Sequence, residues 1–510
     1  MSFERPNIAP ELDQLRTDTD LRDVAKALGY GVVATDSGLL TQGGAASYES
    51  LEDTITEITL RDQDMKVLNS ITQTQAGQLI DEWNEVYSLG YKRGASVSNE
   101  IGMTKEGTRQ GRRRYIRLKF LTQRWGVNQT LLKQKNFMQE MNKEDVAALT
   151  RLRTDKTWMI YAGNAKIGDD GTGGPSAGHE FDGIDQIIED AAYYGYFDGP
   201  MVYDAFIQGS GLDANGLSNP KDLETGLLAL SQRMIQPTNG TAQSPKMWMG
   251  TSVRNLVNRF TNFEPVQVLN GTAQQLTVGA VVQAFTNNNT EQQYTSLHTD
   301  PFLPDSQNRF FLTPDVRGEA VACVAPTVAV APGTDAASYF QTGWDGNYFY
   351  FVAPFGIGIS DKGYEGAAVA SAVAAVAVGG KVTLTITPGS GGEESGYLIY
   401  RSRRNGTNNP ADARLMARIP RNFGGATTFV DLNRELPGAS SAYIIDWSNP
   451  ETIEMRYLYA PFRIELPRSA SAAHLIPGAV SASYALRSRR HRAIGRIKNV
   501  MADPSWNARG

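Results

Sequence analysis

The segment Gly174-Pro175-Ser176-Ala177-Gly178 has the G-x-S-x-G spacing of a nucleophile elbow. In such an elbow the serine stands on a tight turn between a strand and a helix, which holds its hydroxyl clear for attack. Ser176 instead has a proline beside it and lies in Asn164–Glu180, a run with five glycines. That setting favours a mobile loop over a catalytic serine. The four histidines, His179, His298, His474 and His491, are widely separated, and none makes an i,i+4 metal pair. With Cys323 as the single cysteine, a zinc cluster is not expected. Gly168-Asp169-Asp170-Gly171 lacks the ligand spacing of a calcium loop. Neither a Walker A run nor a dinucleotide fingerprint after a strand is present. A general acid–base pair stays open, because 54 carboxylates allow many. No residue is assigned to catalysis, to a cofactor or to a metal, and the chain is read as a non-enzyme.

Two basic clusters remain. One is Arg112-Arg113-Arg114; the other runs from Arg487 through Arg492, with Arg496 and Lys498 beyond it. Phosphate contact would make them salt-sensitive and indifferent to nucleotide sequence. The alternative is ion pairing with acidic neighbours. The chain has a net charge of −5, and both clusters sit in strand-like segments, so ion pairing is favoured, much of it between subunits.

The elements that would position these groups follow from length and pattern. A chain of 510 residues exceeds one typical core, so two or three domains are expected. At 41% hydrophobic and 20% charged it is globular, and fifty glycines point to many turns. One cysteine excludes a disulfide framework and fits folding in a reducing cytosol. The first residues lack the apolar stretch of a signal peptide, and no apolar run of 18 residues occurs, so no membrane span is expected. The longest apolar run, Ala367–Val378, is short and mostly alanine and valine.

A long helix is expected from Asn142 to Ala162, with Asn142 as N-cap, Glu144 and Asp145 in the first turn and Gly163 as a left-handed stop. Its faces are mixed: Arg151, Arg153 and Lys156 alternate with Val146, Leu149 and Leu152. Ahead of it, Tyr91–Gly126 reads as a long hairpin with a polar tip at 102–111 and a returning strand at Tyr115–Phe120 of period two. Residues 1–50 read as an extended arm with a short helix at Leu21–Leu28, and Ser50–Glu57 suits a capped helix start. Residues 190–325 suit an α+β domain, with helices at Leu223–Ile235 and Thr251–Phe260, the second capped by Thr251 or Ser252. Between Lys381 and Trp447, short alternating runs separated by Gly- and Pro-rich turns argue for a β-sandwich. Ile453–Leu466 and Arg487–Val500 are strand-like.

This order of parts resembles the major capsid protein of tailed bacteriophages, a shell fold shared with the herpesvirus capsid floor. Gly43–Leu60 with Arg61-Asp62-Gln63-Asp64 is similar to the N-arm, Tyr91–Gly126 to the extended loop, and Met141–Gly163 to the spine helix. Phe181-Asp182-Gly183-Ile184 resembles the segment after that helix, 190–325 the axial domain, and Tyr457–Phe462 with Arg490–Val500 the closing peripheral strands. The sandwich resembles an inserted fibronectin type III or immunoglobulin-like domain, with Tyr443 similar to its corner tyrosine, although Ile386 stands where tryptophan is usual.

The resemblance implies an α+β capsid fold divided into an N-terminal arm at 1–90, an extended loop at 91–128, and a peripheral domain at 129–189. An axial domain with return strands at 190–362, an inserted sandwich at 363–447 and closing strands at 448–510 complete it. It further implies a shell of pentamers and hexamers enclosing double-stranded DNA, with portal, scaffolding and decoration proteins as partners. Such a chain would be made in the host cytoplasm and end in the virion, without cofactor, metal or membrane. Candidate subunit-interface residues are Thr104, Lys105, Glu106, Arg109, Arg112, Arg113, Arg114, Arg151, Arg153, Lys156, Arg489 and Arg490. The packaged DNA is a further partner for the basic face of the helix. The alternative from another class is an adhesive or carbohydrate-binding surface protein that uses the sandwich.

Overall fold

In the computed structural model, residues 65–88, 90, 97, 102, 107–129, 140–172, 178–190, 199–234, 244–259, 282–289, 294–306, 312–318, 323–357, 365–391, 393–468 and 474–510 are described. Residues 1–64 of the expected arm at 1–90, the hairpin-tip residues Thr104, Lys105 and Glu106, Ser176 and Val266–Asn270 lie outside them.

The first region opens with helix α1 (Lys66–Ser70) and strands β1 (Thr72–Gln75), β2 (Ile80–Ser88), β3 (Gln110–Arg117) and β4 (Lys119–Asn128). Helices α2 (Glu140–Ala162) and α3 (Ile184–Glu189) follow. The next holds β5 (Val202–Asp204), α4 (Pro220–Met234), β6 (Pro245–Met249), α5 (Thr251–Asn258), β7 (Ala284–Thr286) and β8 (Tyr294–Thr299). Nine strands then run from 327 to 431: β9 (Thr327–Thr334), β10 (Gly346–Tyr348), β11 (Tyr350–Phe355), β12 (Val369–Ala370), β13 (Ala374–Val376), β14 (Gly380–Thr387), β15 (Gly396–Ser402), β16 (Ala413–Pro420) and β17 (Thr427–Asp431). The chain closes with β18 (Ser440–Asp446), β19 (Glu454–Tyr457), β20 (Phe462–Glu465), β21 (Leu475–Arg487) and β22 (Ile494–Val500).

Strands β1, β19, β21 and β20 form one sheet, in which β4 pairs with β21 from Leu475↔Asn128 to Tyr484↔Lys119. Helix α2 packs on β4 and β21. Its buried stripe is Ala148, Leu152, Lys156, Met159 and Ile160, the i, i+4 spacing of one helical face. The mixed character seen in the sequence is therefore real, but the lysine belongs to the buried side. The helix starts at Glu140, so Asn142 lies within the helix and is not its N-cap. Gly163 does not adopt a left-handed conformation. It is needed for space: a Cβ there would press into the carbonyl oxygens of Phe181 and Met159, where the returning chain closes with Gly183 N–H donating to Gly163 O at 2.9 Å.

The hairpin differs from expectation in its outgoing strand. Strand β3 pairs antiparallel with β2, from Ile80↔Arg117 to Ser88↔Gln110, so the described outgoing strand begins at Ile80, ahead of Tyr91. Strand β4 leaves the hairpin and joins the sheet under α2. The inward positions of β2 are Asp81, Trp83 and Glu85, and the two acids meet arginines instead of apolar partners, so the strand has no apolar alternation to read.

A six-stranded sheet runs β5-β22-β18-β6-β8-β7. Helix α4 lies on β22 and β5 through Leu223, Leu227, Leu230 and Met234. Gly250 occupies the N-cap of α5 in place of Thr251 or Ser252. Strand β18 is central in this sheet, between β22 and β6, and is buried along its whole length. Locally Ser440–Asp446 reads like the β strands just before it, and only its pairing with β6 and β22 separates it from them. The same placement removes Tyr443 from any sandwich corner: its hydroxyl donates to Asp185 Oδ1 at 2.7 Å and its ring tilts against Tyr161. Strand β22 likewise belongs here and not with the closing strands, so neither 190–362 nor 448–510 maps onto a single sheet.

Residues 327–431 form the sheets β12-β11-β15-β16 and β17-β14-β9, plus the β10-β13 pair. Strands β9, β10 and β11, which precede the expected start at 363, pair with β14, β13 and β15 of this region. Val382, Leu384 and Ile386 alternate inward from β14 to meet Tyr350, Val352, Tyr397 and Ile399. The other face of β15 is also covered: Leu398 and Tyr400 join Ile167, Phe351 and Phe355 in a second cluster.

Candidate functional site: the ion network at the hairpin base

Alternation gives β2–β3 two unlike faces. Ile80, Val86 and Tyr115 point outward, 46%, 44% and 45% exposed. Asp81, Trp83 and Glu85 point inward, opposite Ile116, Arg114 and Arg112. Glu85 takes Arg112 at 2.9 Å and Arg114 at 3.3 Å, with His491 Nδ1 at 3.3 Å. Asp81 takes Arg487 at 2.7 Å and Arg456 at 3.0 Å. Glu454 bridges the same two arginines, at 2.5 and 3.4 Å, and accepts the Thr74 hydroxyl. Three carboxylates and four guanidiniums from the hairpin and the closing strands thus form two largely buried groups, one on Glu85 and one on Asp81 and Glu454.

Burial works to raise the Glu85 carboxyl, but His491 and then the Arg112 and Arg114 guanidiniums overcome it and hold the group at about 2. Burial lowers the His491 imidazole despite Glu85, so it is neutral at neutral pH and the guanidiniums do the holding there. Glu454 is depressed too, its burial outweighed by Thr74, Arg487 and Arg456. Groups of this kind fix geometry: buried pairs contribute little net stability over apolar packing, yet losing one partner is expensive.

Both basic clusters therefore pair with acids of their own chain. Arg113 pairs with Glu82 on the outer face, Arg489 with Glu451 at 2.6 Å, Arg496 with Glu189 at 2.7 Å and Lys498 with Glu435 at 2.6 Å. Arg109 and Arg151 are exposed, and Arg490 is half-buried. Arg153 donates to Asn69 Oδ1 at 3.1 Å. Lys156 is 3% exposed with its Nζ 3.6 Å from the Tyr484 ring centre, so it offers no surface to a neighbour or to DNA. Of the arginine triplet, Arg112 and Arg114 meet at Glu85, while Arg113 faces the other way.

Sequence reasoning missed Asp81, Glu85, Glu454 and Arg456; Asp81 and Glu85 share one face of β2, which was a signal for those two alone. It also missed Arg418 of β16, which grips Glu180 with two bonds, of 2.8 and 2.6 Å. Its guanidinium lies 4.5 Å from the Phe355 ring centre and 4.8 Å from that of Trp158. This clamp joins the β region to the segment after α2. On the sheet face away from α2, Phe120, Tyr459 and Phe462 form an aromatic row, centres 6.2 and 5.0 Å apart.

Among the described residues no group of histidine, cysteine, aspartate and glutamate is arranged to hold a metal, and no helix is long and apolar enough to cross a membrane. No family model and no curated protein matches the chain. Solved structures do align with it. The capsid of a native GTA particle covers 92% of this chain and 100% of its own, at 10% identity and a TM-score of 0.44. The mature capsid of bacteriophage PhiM1 covers 92% and 97%, at 9% identity and 0.40. The SrpI encapsulin complex from Synechococcus elongatus covers 88% and 92%, at 8% identity and 0.35.

Proposed function

We propose that the chain is the structural subunit of a closed protein shell, a major capsid protein of the tailed-phage type. The observation that carries this reading is the β2–β3 ribbon. A two-stranded ribbon is marginal alone in water. This one is locked at its base by buried charges and carries exposed Ile80, Val86 and Tyr115 on its outer face. A ribbon rigid at its root, with apolar side chains set among charged ones on its outer face, suits lying on another copy. In this reading α2 is the beam behind the sheet, and subunits close as pentamers and hexamers around double-stranded DNA. The two-sheet region at 327–431 is an immunoglobulin-like or fibronectin-like insertion on the shell's outside, and portal, scaffolding and decoration proteins are further partners.

Electron microscopy of the purified chain tests the reading. Rings or shells are expected, and deletion of residues 104–110 should block closure. Monomers with affinity for glycans would replace this reading with that of an adhesive protein.

A further inference from the structure

The loop between β9 and β10, the loop after β5 and Arg509 enclose a cleft of about 350 Å³, a volume within the range of small-molecule sites. Both loops are fixed from behind. Asp222, 4% exposed at the start of α4, accepts the Ser210 N–H and the Ser210 hydroxyl, each at 2.9 Å. The Tyr339 N–H donates to Leu432 O at 2.8 Å, and the Tyr348 hydroxyl donates to Trp344 O at 2.6 Å. Phe206 and Trp344 join the two loops edge to face, with ring centres 5.2 Å apart.

Three kinds of group line the cleft. Phe206 and Tyr339 give it half-buried aromatic surface. Gln341 and Thr342 are exposed, and among the described residues their side chains have no hydrogen-bond partner. Arg509 is half-buried with its guanidinium 5.8 Å from the Trp344 ring centre, and among the described residues it pairs with no carboxylate. Neither an aspartate nor a glutamate is among the described lining residues. Gly343 leaves room beside the guanidinium, since a Cβ there would stand 3.3 Å from its Nη2. A guanidinium drawn partly out of water and left unpaired gains from an anion beside it.

We propose that this cleft binds a carboxylate-bearing sugar, with the carboxylate on Arg509 and the ring against Phe206 and Tyr339. The guanidinium fork matches a carboxylate with two parallel bonds. A pyranose ring turns an apolar C–H face to aromatic surface, and its hydroxyls give and take hydrogen bonds with the Gln341 amide and the Thr342 hydroxyl. A neutral sugar leaves Arg509 unmatched. A small acid without hydroxyls leaves Gln341 and Thr342 unmatched. A single cation suits the single charge of a carboxylate better than the near-double charge of a phosphate monoester. The site is contained in one chain, so sugar binding by an assembled shell leaves the shell reading in place.

Saturation-transfer NMR of the full chain with methyl glucuronide, at pH 7 and low salt, tests it. Saturable binding is expected, about tenfold tighter than that of methyl glucoside, which lacks the carboxylate, or of acetate, which lacks the ring. Arg509→Gln should weaken glucuronide binding about tenfold and leave glucoside binding unchanged. Arg124→Gln, exposed on β4 in the first sheet, should change neither. The thermal midpoint shows whether the Arg509→Gln variant is folded. If it is not, Gln341→Ala, at an exposed position, decides: it should weaken both sugars several-fold. Absence of saturable binding, equal affinity for methyl glucoside or acetate, or full glucuronide affinity in a folded Arg509→Gln or Gln341→Ala variant would each overturn the proposal.

Discussion

Replacing Glu85 by Gln removes the charge at the centre of the hairpin base while keeping the shape. The Glu85 carboxyl is held at about 2 against an ordinary 4.5. At 1.36 kcal/mol per pH unit, that separation is worth roughly 3 kcal/mol between the charged and neutral forms in place. Part of it belongs to a charged His491, which is neutral at pH 7, so ~3 kcal/mol is a ceiling there. The side chain is 10% exposed, so solvent screening takes little from it. Truncating one partner of a buried network also leaves Arg114 facing a neutral amide. Glu85→Gln should therefore lose about 2–3 kcal/mol in denaturant unfolding at pH 7, with faster amide exchange in residues 80–88 and 110–117. The pH course separates charge from packing. A depressed carboxyl contributes fully above its unfolded value near 4.5, and the contribution fades as pH falls toward 2. The gap between wild type and variant should narrow over that window. A gap under about 0.5 kcal/mol at pH 7, or one equally wide at pH 7 and pH 3, would refute the account.

Three further outcomes are expected. Glu180→Ala strands Arg418 between two rings and should cost about 3–5 kcal/mol; limited proteolysis should then cut between residues 162 and 190 sooner, and unchanged cleavage would contradict the clamp. Lys156 is lowered to about 7 by burial first and Arg153 second, against 10.5 unfolded. Its buried charge therefore penalises folding most below pH 7, and stability rises between pH 7 and 10.5. Lys156→Met should raise the thermal midpoint at pH 6 and gain less at pH 9; equal gains would show that packing alone is at work. Tyr115→Glu should leave the thermal midpoint within about 2 °C, since surface changes lie within about 0.5 kcal/mol, yet abolish shells under the microscope; normal shells would remove the outer hairpin face from assembly.

Strands with regular alternation and clear turns were legible in the sequence. Lys381–Thr387, Gly396–Arg401 and Arg414–Ile419 fall within a residue or two of β14, β15 and β16. Helices α4 and α5 were legible for the same reason, an apolar stripe at helical spacing. Which sheet a strand joins was not legible. Ser440–Asp446 looks the same locally whether it pairs with β17 or with β6 and β22, because partner choice rests on residues some 200 positions away. The hairpin base failed differently. Its inward face is acidic, and an acidic alternation announces burial only when the matching arginines are known to lie opposite. Lys156 misled by the same logic: a lysine at a core position reads as surface until the Tyr484 ring appears beneath it.

Three of the buried charge groups also share a kind of location. Glu85 with Arg112 and Arg114 ties the hairpin to the segment carrying His491. Glu180 with Arg418 ties the segment after α2 to β16. Asp185 with Arg496 ties α3 to β22, and Asp185 itself is raised to about 6 by burial in spite of that arginine. Each of these three lies at a junction between elements distant in sequence; the Arg401–Asp431 pair, at 2.7 Å, is instead buried inside the 327–431 region. Apolar packing tolerates sliding by a fraction of a side chain, whereas an ion pair has one good geometry. Charges at the junctions therefore set angles between parts more than they add stability. For a subunit that must repeat one shape many times, a small error of angle at the hairpin base would be amplified at its far end. On this argument Glu85→Gln should disturb closure of the shell more than its loss of stability alone would explain. Comparison with a variant equally destabilised at a site remote from the hairpin, such as Leu227→Ala in α4, separates the two effects. If both assemble equally well at equal stability, the network is only a source of stability and the angular role is wrong.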